Sequence, residues 1–159
     1  MATEDARSLA RRAALDLLAR REHSLHELFE KVCERHAELD PDEVVRPVLQ
    51  QLAADNLQSD ARFVESWINY RSARGDGPLK ISASLQPRKI SSAVLKQKLY
   101  EEGPDWVELC REALRKKFRL EGKPNASEHA KIQRFLMQRG FTGEQIRAAI
   151  KIAITEFGF

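Results

Sequence analysis

The chain has 159 residues, of which 42% are hydrophobic and 32% charged, with 27 Lys and Arg against 24 Asp and Glu. This balance supplies enough apolar side chains for a folded core and excludes a chain that is disordered throughout. There is no apolar run near the ~18 residues of a membrane span, no hydrophobic signal segment and no close cysteine pair, so we expect a cytoplasmic protein without disulfides.

The charge is distributed unevenly along the chain. Residues 1–58 contain 8 Lys and Arg and 12 Asp and Glu, a net charge of −4, whereas residues 59–159 contain 19 and 12, a net charge of +7. The second part is therefore suited to contact a polyanion or an acidic protein surface. A solvated helical exterior would show the same excess, so the charge alone does not decide between these interpretations.

Helix signals begin near the amino terminus. Apolar residues at three- and four-residue intervals predict a helix over 6–22, and a capping box at Ser24 begins a second helix. Asp40, followed by proline and two acids, begins a third. Pro47 is expected to bend that helix because it lacks the N–H of the regular ladder.

Six more helices follow in the second part of the chain. A cap at Ser59 or Asp60 begins the fourth, and the sequence GDGP at 75–78 ends it. The fifth is short, at about 79–88, and the others begin at Ser91, after Asp105, near 127 and at Thr142. No alternating strand pattern or hairpin turn occurs, so the predicted fold class is all-α.

A unit of three helices recurs along the chain. The caps Asp40, Ser91 and Thr142 lie 51 residues apart, and each has a large apolar residue just before it and another four residues after it. This is the pattern of a hydrophobic staple, which fixes how the chain enters a helix; its members here are Leu39, Val44, Ile90, Leu95, Phe141 and Ile146. We predict three tandem three-helix repeats, over 1–57, 58–103 and 104–159, stacked into an elongated, curved array.

The middle repeat also predicts core positions. Its apolar residues Ile81, Leu85, Ile90 and Leu95 are all expected to be buried.

Common signatures of catalysis and metal binding are missing from the sequence. It has no phosphate-binding glycine loop, no H-E-x-x-H and no paired C-x-x-C. His23, His26 and His36 have no Cys or carboxylate set at metal spacing, and Cys33 and Cys110 have no recognisable base. We therefore predict a protein that is not an enzyme and that needs no metal or cofactor.

Basic side chains are the remaining candidates for function. Lys80 and Arg88 recur in register as Lys131 and Arg139, so stacked repeats would present them at regular intervals to a repeating partner. Others lie late in the seventh helix, where cations also favour the helix dipole and need no binding role. The residues predicted to contact a partner protein or DNA are Arg71, Arg74, Lys80, Arg88, Lys96, Arg111, Arg115, Lys116, Lys131 and Arg139.

One stretch resembles a known family. The segment LQSDARFV at 57–64, followed by Arg71, GDGPLKI at 75–81 and Leu85, resembles the central signature of the RecX regulatory proteins, and Ser24-x-x-Glu-Leu resembles part of their amino-terminal signature. The resemblance covers nearly the whole chain, including the three-repeat plan. The signature positions are Asp60, Arg62, Phe63, Arg71, Gly75, Gly77, Pro78 and Ile81, several of which are expected to be structural.

The resemblance implies a function that the residues alone do not. It implies a bacterial cytoplasmic regulator of recombination, DNA repair and the SOS response, which binds the RecA recombinase or its DNA filament. Such proteins typically inhibit the ATPase, strand-exchange and coprotease activities of RecA. Weak DNA binding and a monomeric state are also expected, and the family has no catalytic residues to carry over.

The turn after the second helix of each repeat departs from the family pattern. Gly140 keeps the glycine that the family often has there, but His36 and Lys89 do not. A left-handed turn without glycine costs on the order of 1 kcal/mol, so these two turns are expected to differ in shape.

Two other functions fit the sequence. Helices five and six, joined by a short turn, are similar in layout to a helix-turn-helix, which would make the chain a DNA-binding module acting independently of RecA. A helical adaptor for an unrelated protein would also show these patterns.

Overall fold

The computed structural model describes residues 3–156, which contain helices and no strand. The all-α fold class is therefore confirmed for this part of the chain. None of its helices is long and apolar enough to cross a membrane. The α-helices are α1 Thr3–Leu18, α2 Leu25–Arg35, α3 Arg46–Ala54, α4 Asp60–Ala73, α5 Pro78–Leu85, α6 Ser92–Lys96, α7 Trp106–Lys117, α8 Ala126–Gln138 and α9 Gly143–Thr155.

Three short turns of other helix types accompany these α-helices. A π-helical turn, Pro41–Val45, precedes α3, a 3₁₀ turn, Gln86–Arg88, follows α5, and a second π-helical turn, Gln97–Glu101, follows α6. The chain divides into two compact units, Met1–Ser66 with Gln86–Val94, and Trp67–Leu85 with Leu95–Phe159. The three-repeat boundaries at 57 and 103 stay a prediction.

The core of the first unit lies between α1, α2 and α3. The helix faces that the apolar periodicity predicted are the buried ones, because that spacing places side chains on one side of a helix. Ala10 and Ala14 of α1 are fully buried, as are Leu28 and Val32 of α2. Removing such side chains from water contributes ~25 cal/mol per Å² of apolar surface, which is the main force holding these helices together.

The helix that begins at Asp40 changes type where the proline lies. The Asp40 carboxylate accepts hydrogen bonds from the backbone N–H groups of Asp42 and Glu43, at 3.0 Å each. The N–H of Arg46 then donates to the carbonyl of Pro41, five residues back, which is π-helical. Pro47 thus lies just after the π-helical turn, as the second residue of α3, in a helical stretch that began at Pro41. The bend expected at Pro47 stays a prediction.

Local caps agree with the sequence pattern elsewhere. Ser24 and Thr142 each form a complete capping box, and the Asp105 carboxylate accepts from Glu108 N–H at 3.1 Å. For α4 the cap is Ser59, whose Oγ accepts from the backbone N–H of Arg62 at 3.1 Å. The alternative cap at Asp60 is therefore not the one used.

The core of the second unit lies where α7 contacts α8 and α9. Leu114 of α7, Leu136 of α8 and Ile146 of α9 are almost fully buried. The indole Nε1 of Trp106 donates to the carbonyl of Leu99 at 2.7 Å, so this tryptophan is a core residue with a satisfied donor.

The core prediction for the middle repeat is half right. Ile81 and Leu85 are buried, but Ile90 and Leu95 are only half-buried. The outer two staples, Leu39 with Val44 and Phe141 with Ile146, are buried throughout. The middle staple is therefore less well covered than the outer two, although the helix that it enters continues from α6 into the π-helical turn Gln97–Glu101.

The turns that follow the second helix of each predicted repeat do not share one backbone conformation. Gly140 has φ +97° and Lys89 has φ +52°, so the middle turn is left-handed even though it lacks glycine. The prediction that it would differ from the glycine turn is wrong in that respect. His36, with φ −126°, does depart from the left-handed form.

Candidate functional site

The signature loop between α4 and α5 is built around a buried carboxylate. Asp76 is only 7% exposed, and its Oδ2 atom accepts from Arg71 Nε at 2.5 Å. Lys80 Nζ lies 3.4 Å from the other carboxylate oxygen. Two predicted contact residues, Arg71 and Lys80, therefore compensate an internal charge.

The same loop docks on the turn between α8 and α9. The N–H of Gly77 donates to the carbonyl of Arg139 at 2.7 Å, and the N–H of Leu79 donates to the carbonyl of Gly140 at 2.9 Å. A Cβ atom at position 77 would lie 2.5 Å from the carbonyl carbon of Gly140. Glycine is needed there because no side chain fits between the two backbones. The signature residues of this loop are structural, as expected.

Arg139 connects the two loops. Its Nη1 atom donates to the carbonyl of Arg74 at 3.2 Å, and its guanidinium lies 5.1 Å from the centre of the Phe135 ring. Of the four in-register basic residues, Lys80 and Arg139 are thus held by contacts within this unit. Lys131 is exposed on α8, while Arg88 is half-buried and belongs to the first unit.

A basic groove lies between the end of α4, the second half of α7 and the end of α8. Its cavity measures about 330 Å³. The residues that give it its chemical character are Arg74, Leu109, Glu112, Ala113, Lys116, Lys117, Phe135 and Arg139. Four of these are cations, and Glu112 is the one acid among the described residues that line it. We call this surface the basic groove.

The charges of the basic groove are not neutralised from within. Glu112 Oε1 is 3.1 Å from Nη2 of Arg115, which lies outside the groove, so the acid already has a partner. The Arg74 guanidinium lies 5.4 Å from the Tyr70 ring centre and donates to its hydroxyl at 2.7 Å, an arrangement that fixes the side chain and leaves its charge in place. The groove therefore presents positive charge on both walls.

Phe135 forms the aromatic part of the basic groove. Its ring meets the edge of Phe118 at 5.6 Å between centres, and Lys117 Nζ lies 5.8 Å from its centre. In the sequence, Phe135 stands between Ile132 and Leu136 in helical apolar spacing, which indicates a packed helix face and no groove. Lys117 was visible in the basic cluster of the seventh helix, but nothing in the sequence singled it out from its neighbours.

The other predicted contact residues lie outside the basic groove. Arg111 makes ion pairs with Glu108 at 2.7 Å and Glu156 at 2.6 Å. Its hydrogen bond lowers the pKa of Glu108 below the ordinary value, while the same bond raises the pKa of Arg111. Lys96 is exposed and 3.9 Å from Glu101. Of the ten predicted residues, the structure brings together Arg74, Lys116 and Arg139.

The thiols offer no activated nucleophile. Burial raises the pKa of Cys110 to about 12 and also raises the pKa of Cys33, so both thiols are protonated near neutral pH. Among the described residues, no group of three or more His, Cys, Asp or Glu side chains is arranged to hold a metal ion. The surface that stands out is the basic groove.

The fold defines an all-α protein of tandem three-helix domains, and comparison with known proteins identifies them. The family model described as "RecX, second three-helix domain" matches residues 59–99, and "RecX, third three-helix domain" matches residues 104–150. The chain belongs to the RecX family of regulatory proteins, so the resemblance in the signature segment is confirmed.

Relatives over most of the chain support this assignment. The chain is 42% identical to "Regulatory protein RecX" of Chromohalobacter salexigens, covering 94% of this chain and 95% of that protein. It is 41% identical to "Regulatory protein RecX" of Pseudomonas entomophila, covering 86% of each.

Solved structures share the fold. The crystal structure of RecX from Lactobacillus salivarius matches 98% of both chains with a TM-score of 0.79 and 20% identity. A second crystal structure, of regulatory protein RecX, matches 98% of this chain and 74% of the other, with a TM-score of 0.72 and 22% identity.

Proposed function

We propose that the protein regulates homologous recombination and DNA repair by binding RecA, or RecA assembled on DNA, and inhibiting its ATPase, strand-exchange and coprotease activities. The observation that carries the proposal is the match to regulatory RecX proteins over 94% of this chain and 95% of the relative. The protein acts in the cytoplasm as a monomer that modulates RecA by binding to it and catalyses no reaction itself.

Two features of the molecule support a binding role. The signature residues Arg71 and Gly77 hold the loop around Asp76 together and dock it on the turn at Gly140. Because these residues stabilise the fold, contacts with a partner fall to exposed side chains elsewhere. The net charge of +7 over residues 59–159 favours a partner that carries negative charge. RecA on DNA offers both a protein surface and a polyanion.

The test is the DNA-dependent ATPase activity of RecA. We expect the purified protein to lower the steady-state rate of ATP hydrolysis by RecA on single-stranded DNA in a dose-dependent way, and to slow strand exchange in parallel. A protein that leaves ATP hydrolysis, strand exchange and filament length unchanged at stoichiometric amounts would contradict the proposal.

Direct DNA binding is the second candidate, because the second part of the chain is basic. A shift of naked DNA by the protein at the concentration that affects RecA would favour it, with a steep dependence on salt. The candidate recognition helix, α6, continues into a π-helical turn, where Lys96 lies 3.9 Å from Glu101 and Lys98 lies 3.2 Å from Glu102, so nearby acids offset these two cations. We therefore expect DNA binding to be weak when RecA is absent.

A further inference from the structure

We infer that the basic groove binds an acidic peptide segment of the partner protein. This inference rests on the proposed function, because it names the surface through which the regulator would hold its partner. It is supported by the charge of the groove, by the residues that line it with their aromatic contacts, and by the fixed positions of two of its cations.

Charge complementarity is the first argument. Arg74, Lys116, Lys117 and Arg139 surround a space of about 330 Å³, and the single acid of the lining, Glu112, is paired with a residue outside it. Cations held on several sides of a concave surface reinforce one another more than cations scattered on a convex surface. A ligand with several carboxylates would therefore gain binding free energy from each of the four cations.

The lining between the cations favours a peptide over a nucleic acid. Leu109 and Ala113 of α7 supply an aliphatic floor, against which the side chains of a peptide can pack. Nucleic-acid surfaces that hold single strands combine basic residues with exposed aromatic faces on which bases stack. The groove lacks such a face among its described residues, because Phe135 has Phe118 at 5.6 Å and the cations Lys117 and Arg139 within 6 Å of its ring centre.

The rigidity of the groove is the third argument. Arg139 is fixed by its bond to the Arg74 carbonyl, and the Arg74 side chain is fixed by the Tyr70 hydroxyl. These two cations are positioned before a ligand arrives, so less side-chain entropy is lost on binding. Lys116 and Lys117 are exposed in the last turn of α7, so replacing them changes the charge of the groove without opening a cavity in the core. They are therefore the residues to change.

The experiment compares two double charge reversals. Lys116→Glu with Lys117→Glu alters the basic groove, and Arg134→Glu with Lys151→Glu is the matched control, since those two cations are also exposed on helices of the same unit but do not line the groove. The probes are a fluorescein-labelled peptide rich in glutamate and leucine, and a labelled oligothymidylate. Fluorescence anisotropy gives the Kd of each probe, and circular dichroism shows that the variants are folded.

The peptide result decides the inference. We expect K116E/K117E to weaken peptide binding by roughly tenfold or more, and R134E/K151E to change it by less than about threefold. Equal losses in both variants, no peptide binding by the unaltered protein, or loss of oligothymidylate binding alone in the groove variant would each overturn it. If K116E/K117E does not fold, K116Q/K117Q takes its place, with a smaller loss expected in the same direction.

The same variants in the RecA ATPase assay separate the two claims. Inhibition by the unaltered protein that K116E/K117E loses and R134E/K151E keeps supports both. Inhibition that K116E/K117E retains in full would overturn the groove as the contact and leave the proposed function standing. Failure of the unaltered protein to inhibit would contradict the proposed function, while the peptide measurement still decides what the groove binds.

Discussion

At the scale of single residues, a buried polar network explains the signature position Asp60. Gln58 is 3% exposed, and its side-chain amide donates to the carbonyl of His23 at 3.1 Å and to Asp60 Oδ1 at 2.9 Å. The same carboxylate oxygen accepts from the backbone N–H of Leu25 at 2.8 Å, the first residue of α2. Asp60 therefore ties the start of α4 to the start of α2, where its charge also suits the helix dipole.

Folding stability is expected to fall as the pH drops below about 6.5, because of His23. Burial is the largest cause that lowers the pKa of this imidazole, and the Arg21 and Lys31 charges add to it, against the opposing effect of the Arg21 carbonyl and Glu27. Well above pH 6.5 the ring is neutral in both states. Below pH 6.5 the imidazole of the unfolded chain is protonated more readily than that of the folded chain. Protonation therefore stabilises the unfolded state relative to the folded state.

Urea denaturation at pH 7.5, 6.5 and 5.5 measures this loss. His23→Gln should remove the part of the pH dependence between 7.5 and 5.5, whereas His129→Gln, a change in α8, should keep it. An unchanged slope in His23→Gln would contradict the prediction. Glu27, whose pKa is lowered by its bond to Arg21 although burial opposes this, contributes a separate loss only below its ordinary value of 4.5.

The in-register lysine of α8, Lys131, and the arginine that directly follows α8, Arg139, are expected to differ in their effect on stability. Arg139→Ala removes a hydrogen bond to the Arg74 carbonyl and a cation over Phe135, so we expect a loss of about 1–2 kcal/mol in the free energy of unfolding. Lys131→Ala, at an exposed position on α8, should stay within about 0.5 kcal/mol. Thermal or chemical denaturation distinguishes them, and equal effects would show that Arg139 is a surface residue.

At the scale of elements, the close contact of two turns leaves no room for a side chain at Gly77. Gly77→Ala places a Cβ atom 2.5 Å from the backbone of Gly140, and backbone atoms cannot rotate away as a side chain can. We expect a loss of at least about 2–3 kcal/mol or a chain that does not fold. The control is Gly143→Ala at the first residue of α9, where the nearest contact is the flexible end of Arg147 at 3.3 Å.

Gly143→Ala should be neutral or stabilise by up to about 1 kcal/mol, because alanine loses less conformational entropy in a helix than glycine. The melting temperatures of the two purified variants measure the difference. A Gly77→Ala variant as stable as the unaltered protein would contradict the described docking of the signature loop.

How far the elements could be predicted follows from the range of the interactions. The caps at Ser24, Asp40 and Thr142 were predictable because a capping side chain bonds to N–H groups two or three residues away. The docking of Gly77 on Gly140 was not, because it joins positions 63 residues apart, and no local pattern encodes which backbone a glycine will meet. The basic groove has the same origin, since three helices supply its walls.

At the scale of the whole molecule, net charge and local charge make different predictions about binding. The formal net charge is +3, with the excess in residues 59–159. If net charge governed attraction to an acidic partner, adding positive charge anywhere on the molecule would restore binding in a groove variant. If the basic groove governs it, compensation elsewhere is ineffective, because screening limits charge interactions to about 10 Å at 0.1 M salt.

A compensated variant separates these cases. Adding Asp16→Lys and Glu34→Lys, at exposed positions of α1 and α2, to K116E/K117E returns the formal net charge to +3. We expect this variant to inhibit RecA as weakly as K116E/K117E does. Recovery of inhibition would show that net charge, and not the groove, attracts the partner.

Salt provides an independent check on the same point. Raising the ionic strength from about 0.05 M to about 0.3 M should increase the concentration of the unaltered protein needed for half-maximal inhibition, because screening weakens exposed charge contacts. This increase should be smaller for K116E/K117E and for the compensated variant, because both have already lost the charge of the groove. A salt dependence shared equally by all three proteins would place the electrostatic contact outside the groove.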